Sequence, residues 1–119
     1  MLSKRNCLKK KKDFENLFRK GKKFKEDFLL LRVASNNLKT SRFGFVVGKK
    51  VFKKAVLRNQ LKRRLREIVR FKIPQIKKGI DVILIAMPGF ETKDFWEIEE
   101  IVNKIFNRAN IIEKPKKNV

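Results

Sequence analysis

The stretch Lys49-Lys50-Val51-Phe52-Lys53-Lys54-Ala55-Val56-Leu57-Arg58-Asn59-Gln60-Leu61-Lys62-Arg63-Arg64-Leu65-Arg66-Glu67-Ile68-Val69-Arg70-Phe71-Lys72 carries 11 basic residues and one acid, yet it is not a uniform polycation. On a 100° wheel Leu57, Leu61, Leu65, Ile68 and Val69 gather on one side, while Asn59, Arg63, Arg66 and Arg70 gather on the other. The spacing predicts a helix over Ala55–Phe71, stopped before Pro74, whose ring cannot continue it. One stripe of this helix must dock on something apolar, so the chain needs a sheet or further helices to receive it.

Those partners are found on either side. Downstream, Asp81–Met87 is a continuous apolar run that predicts a buried strand, and Pro88-Gly89 turns the chain. A last helix is expected to begin near Thr92 or Asp94, the latter forming a capping box with Glu97. It runs to about Ala109 with Phe95, Ile98, Ile101, Val102, Ile105 and Phe106 inward. Upstream, Arg42–Val47 and Phe28–Ala34 read as strands separated by a turn at Ser35-Asn36-Asn37, which predicts an antiparallel hairpin. In Arg42–Val47 the side chains of Phe43, Phe45 and Val47 point one way and Gly44, Val46 and Gly48 the other, so a close-packed element is expected on the small-residue face. Lys9–Lys20 predicts a short helix closed by Gly21 at C′. The fold class is α+β, one sheet with packed helices in a single domain over 1–113 and a disordered basic tail over 114–119.

Charge sorts the possible functions. The 119 residues contain 33 Lys and Arg against 12 Asp and Glu, a formal net charge of +21, with no histidine and one cysteine. The excess sits in two blocks, Met1–Lys25 at +9 and Lys49–Lys72 at +10, whereas 26–48 is +1 and 79–113 is −4. Solubility needs a net charge of only about 2–8, so blocks this strong imply a polyanionic partner. Lack of histidine removes a Ser-His-Asp triad, a Cys-His dyad and a His-based zinc site. Cys7 cannot form an internal disulfide and reads as an ordinary reduced thiol of a cytoplasmic chain. The longest apolar run is six residues, Val82–Met87, against about 20 for a membrane span. The basic N-terminus lacks the apolar segment of a secretion signal.

An independent catalyst is disfavoured. Glu97, Glu99 and Glu100 read as the polar face of a helix rather than as converging ligands for a hard cation, and Gly48-Lys49-Lys50 lacks the spacing of a nucleotide loop. Lys49, Lys50, Lys53 and Lys54 instead form a basic loop leading into the Arg-bearing ridge, whose planar forks suit phosphate. Phe14 and Phe18 sit four apart on the short basic helix, where they serve either as core or as platforms for unpaired bases.

Ordered along the chain, these motifs resemble the bacterial ribonuclease P protein family. The resemblance rests on Arg5, Asn6, Leu8 and Lys9, on Asp13-Phe14…Leu17-Phe18…Gly21, on Gly44-Phe45-Val46-Val47-Gly48-Lys49-Lys50, on Arg58-Asn59 followed by Lys62-Arg63-Arg64 and Arg66, and on Asp81–Ala86. Gln60 stands where that family usually carries Arg. The resemblance implies an αβββαβα order with a left-handed βαβ crossover, and so a short extra strand around Lys22–Lys25. It implies an accessory subunit of a ribonucleoprotein endonuclease that removes the 5′ leader from precursor tRNA, with Mg2+ used by the complex and the chemistry done by RNA, so no catalytic residue is assigned. The implied catalytic-RNA contacts are Lys49, Lys50, Lys53, Lys54, Arg58, Asn59, Lys62, Arg63, Arg66 and Arg70. The implied leader contacts are Phe14, Phe18, Phe28, Leu30 and Arg32. The expected partners are the catalytic RNA and precursor tRNA, with no membrane and no obligate protein partner. A structural, ribosomal-type RNA-binding protein of similar fold is the alternative.

Overall fold

A computed structural model describes residues 3–113; the expected tail, 114–119, lies outside the described residues. The elements are α1 (Lys11–Lys20), β1 (Lys22–Glu26), β2 (Leu29–Ser35), β3 (Arg42–Val46), α2 (Ala55–Lys72), β4 (Ile80–Ala86) and α3 (Phe95–Arg108). The extra strand is β1, which no hydrophobic pattern announces because it is an edge strand with Phe24 as its single apolar residue.

The predicted β2–β3 hairpin does not form. The sheet order is β1-β2-β4-β3, and β4 lies between the two expected partners, antiparallel to β2 and parallel to β3. Burial explains the choice. Val82, Ile83 and Leu84 are apolar in succession and fully buried on both faces, which only a central strand provides. The loop from β2 instead passes over the start of β4, where Asn36 N donates to Gly79 O at 2.9 Å. β3 returns to β4 through α2, a βαβ crossover.

Alternation then divides the core. On one face Leu29, Leu31, Phe43, Val82, Leu84 and Ala86 meet Leu61, Leu65, Ile68 and Val69 of α2 and Ile98, Ile101, Val102, Ile105 and Phe106 of α3. Phe95 is only half-buried at the margin of this core. The α3 capping box is present, with Glu97 N donating to Asp94 Oδ1 at 2.8 Å and Asp94 N donating to Glu97 Oε1 at 3.1 Å. On the other face Leu8 and Leu17 cover Ile83, with Phe14, Ala34, Val46 and Ile85 around them. α1 therefore lies alone on the face opposite α2 and α3.

Two glycines make that docking possible. A Cβ on Gly44 would lie 2.5 Å from Phe14 Cζ, so α1 approaches β3 as the small-residue face predicts; nothing lies within 4 Å of the corresponding position on Gly48. Gly21 closes α1, but with φ −70 rather than a left-handed conformation. Its requirement is steric, since a Cβ there would meet Leu17 O at 2.6 Å and Val33 O at 3.3 Å as the chain passes directly from helix to β1.

Candidate nucleic-acid interface

Phe52 and Val47 are buried and pin the two ends of the loop between β3 and α2. Phe52 N donates to Gly48 O at 2.9 Å, closing the loop and leaving Lys49, Lys50, Lys53 and Lys54 exposed. Arg58 does not join them as a free cation. Its Nη1 donates to Phe52 O at 2.8 Å and Lys53 O at 2.9 Å, so the guanidinium braces the loop against the first turn of α2.

The ridge of α2 does not simply face solvent. Asn59, Lys62, Arg63, Arg66 and Glu67 form one wall of a groove of about 650 Å³ whose opposite wall is Cys7, Leu8, Lys9 and Phe14, with Phe43–Phe45 as its floor. The N-terminal segment is held there as an addition to the edge of β3: Leu8 N donates to Phe43 O at 2.8 Å and Asn6 Nδ2 to Ser41 O at 2.8 Å. Both basic blocks of the sequence therefore contribute to one groove. Arg66 lies 5.9 Å from the Phe45 ring centroid, in cation–π range. Arg70 sits beyond the groove, bonded to Glu67 at 2.7 Å and stacked 4.6 Å from the Phe71 centroid. That hydrogen bond holds the Glu67 carboxyl below its ordinary value.

A second surface lies on the α1 face. Strand register arranges its side chains in rows: Ala34–Asp81–Arg42, then Lys23–Arg32–Ile83–Gly44, then Lys25–Leu30–Ile85–Val46. In the first two rows Asp81, Ile83 and Gly44 are buried, whereas Leu30, Ile85 and Val46 in the third are half-buried. The third row thus forms a half-buried apolar strip on the α1 face of the sheet. Phe18 on its rim is 42% exposed, with Arg32 5.7 Å from the ring centroid and Arg32 Nη1 donating to Phe18 O at 2.8 Å. Phe28, 39% exposed, stands at the end of β2 with Lys93 Nζ 5.5 Å from its ring centroid. Phe14 is half-buried against Leu8 and Gly44 and belongs mainly to packing. The sequence places Val46 with Gly44 on this face, but it does not reveal Ile85 or Lys93 as parts of the surface. A continuous apolar strand hides which residues face which side, and Lys93 lies 65 positions from Phe28.

The first row fixes the tilt of α1. Arg42 donates from Nε to Asp81 Oδ1 at 2.9 Å and from Nη2 to Asp81 Oδ2 at 2.6 Å, while Asp13 of α1 stands 3.4 Å from Arg42 Nη1. Asn36 Nδ2 adds a hydrogen bond to Asp81 Oδ1 at 2.8 Å. The hydrogen bonds that Arg42 donates to Asp81 raise the guanidinium pKa above its ordinary value. These carboxylates are committed to a cation, and among the described residues no three His, Cys, Asp or Glu converge on a common point. Among the described residues, no helix is long and apolar enough to cross a membrane.

Comparison with known proteins places these surfaces in context. The sequence model of the Ribonuclease P family matches residues 2–110. The ribonuclease P protein component of Fusobacterium nucleatum is 37% identical over 111 residues, covering 90% of this chain and 99% of that protein. The corresponding protein of Synechocystis is 36% identical over 107 residues, covering 89% and 86%. Among solved structures, the RNase P protein of Staphylococcus aureus superposes with a TM-score of 0.84 at 26% identity, over 91% of this chain and 98% of that one. The RNase P protein of Thermotoga maritima gives 0.78 at 32% identity, over 86% and 96%. Sequence relatives that span almost the whole chain and solved structures that superpose over most of it agree: the chain belongs to the ribonuclease P protein family.

Proposed function

We propose that this chain, as the protein component of ribonuclease P, binds the catalytic RNA through α2, its preceding loop and the groove they border, and receives the 5′ leader of precursor tRNA along the apolar strip of the α1 face. The observation that carries this reading is that two differently built surfaces adjoin one sheet, a cation-dense groove at the β3 edge and an apolar strip on the α1 face. The α2 surface is dense in cations: Lys49, Lys50, Lys53 and Lys54 ring the loop, and Lys62, Arg63 and Arg66 line the groove with Lys9 opposite. Such a surface suits a folded RNA presenting many phosphates. The α1 face has the apolar strip, an exposed ring at Phe18 and one cation, Arg32, beside that ring. A strip of this kind accepts unpaired bases with little demand on sequence, because every base has a π-face and an apolar edge.

The protein supplies position and charge, and the hydrolytic chemistry falls to the RNA and the Mg2+ that the complex uses. Arg58 holds the loop so that four lysines present a fixed pattern of charge. Arg32 neutralises a phosphate near Phe18 while its bond to Phe18 O keeps it on the rim. Each cation placed between two RNAs screens their mutual repulsion, so the Mg2+ concentration needed for cleavage should fall when the protein is added. Reconstitution with the catalytic RNA tests the reading. The protein should tighten binding of leader-bearing precursor more than that of mature tRNA; equal tightening of both would remove the leader role.

A further inference from the structure

The leader surface does not end at β2. We propose that β1 extends it, with Lys23 and Lys25 taking phosphates of the upstream part of a longer leader. This rests on the leader reading of the α1 face. Register places Lys23 opposite Arg32 and Lys25 opposite Leu30, so both lysines project on the α1 face of the sheet. Both are exposed, and neither enters an ion pair among the described residues.

The acid of this strand is handled differently. Glu26 points to the opposite face, 2.9 Å from Arg108 Nη1 of α3, and Arg108 also donates to the Lys25 carbonyl. The α1 face of β1 therefore carries only cations among its charged groups, whereas the other face carries Lys22 and the Glu26–Arg108 pair. Like charges directly opposite one another on antiparallel strands are destabilising, and Lys23–Arg32 is such a pair in the middle of the strand. A phosphate lying between them converts that repulsion into two attractions.

Polarity follows from the two edges of the sheet. β3 adjoins the α2 surface proposed to hold the catalytic RNA, and β1 is the edge farthest from it. A strand entering from the β3 side crosses Val46, Ile85 and Leu30 in turn before it reaches Lys25, so only a leader long enough to cross the sheet meets β1. The ligand class is a single-stranded RNA 5′ extension, recognised by charge and not by base identity.

The experiment uses the reconstituted holoenzyme and three substrates: mature tRNA, a precursor with a leader of about two nucleotides, and one of about ten, within the range of about 4–16 nucleotides that single-strand sites cover. Lys23→Ala/Lys25→Ala should weaken binding of the long-leader precursor about tenfold near 0.15 M salt and reduce its salt slope by about 1.4, with the other two substrates unchanged. Lys22→Ala removes a charge from the same strand but from the α3 face, since Lys22 pairs with Val33, and should leave leader-length dependence intact. If the wild type fails to distinguish leader-bearing from mature tRNA, the leader reading itself falls. If it distinguishes them but the double variant keeps the full advantage of the long leader, β1 is not part of the track. A double variant that only aggregates more readily, with leader-length dependence retained, would show the lysines to be guards of an exposed edge strand and would likewise overturn the proposal.

Discussion

The Phe14 ring of α1 occupies the space that a side chain on Gly44 of β3 would need: a Cβ there would stand 2.5 Å from Phe14 Cζ and 2.7 Å from Phe14 Cε1. Helix and sheet are separated by a distance set by one missing methyl group. Gly44→Ala should therefore push α1 outward or force the ring from its rotamer, costing about 1–3 kcal/mol as overpacking generally does. Chemical denaturation of the purified protein checks the magnitude. Because the apolar strip lies beside this contact, the variant should also lose preference for leader-bearing precursor, and unchanged stability would refute the close packing.

The ion pair between Arg42 and Asp81 should prove structural rather than catalytic. Asp81→Asn leaves a largely enclosed guanidinium with only Asp13 as an acidic partner at 3.4 Å. Breaking a buried pair on one side costs about 3–5 kcal/mol, and the partial water access of Arg42 places the expected loss near the lower figure. Thermal denaturation should show this directly. A variant of wild-type stability that nonetheless abolished cleavage would point to a chemical role for Asp81.

Arg58 and Arg63 should part company in salt titrations. Arg63→Ala and Arg66→Ala each remove a cation from the groove and should lower the slope of log affinity against log salt by about one. Arg58→Ala frees the loop carbonyls it braces, so affinity should fall through loss of loop order while the slope changes less. Filter binding of the catalytic RNA at several salt concentrations distinguishes the two, and equal slope changes would mean that Arg58 leaves its carbonyls to meet phosphate in the complex.

Phe14 and Phe18 should likewise behave differently despite their shared helix. Phe18, 42% exposed, can be truncated at a stability cost of roughly 1 kcal/mol or less, while affinity for leader-bearing precursor falls by about 1–3 kcal/mol. Phe14→Ala opens a gap between α1 and β3 and should cost about 3 kcal/mol of stability. Parallel denaturation and precursor-binding measurements on both variants check the division.

A pH effect follows from Glu67. Its folded-state pKa is lowered from 4.5 by the hydrogen bond from Arg70, so the stabilisation is present above about pH 4.5 and is lost as pH falls through the depressed folded value. Melting temperatures of wild type and Glu67→Gln should differ near neutrality and converge in that acid range. A difference that persisted below it would assign the effect to something other than ionisation.

What the sequence determined by itself was local periodicity and charge. The stripe Leu57, Leu61, Leu65, Ile68 and Val69 could only be a helix face, Asp94 with Glu97 could only open a helix, and the blocks at Met1–Lys25 and Lys49–Lys72 required a polyanion, because these signals depend on neighbours a few positions apart. Family motifs supplied the short strand β1 that periodicity lacked. Tertiary structure decided what depends on distant residues: the insertion of β4 between β2 and β3 in place of a hairpin, and the register that sets Lys25, Leu30, Ile85 and Val46 in one row. It also decided that the N-terminal basic segment and the ridge of α2 would wall a single groove, and that Arg58 would turn inward to carbonyls. The physical reason is that an apolar run specifies burial without specifying a partner, and a cation specifies a need for negative charge without specifying whether a carbonyl, a carboxylate or a phosphate will meet it.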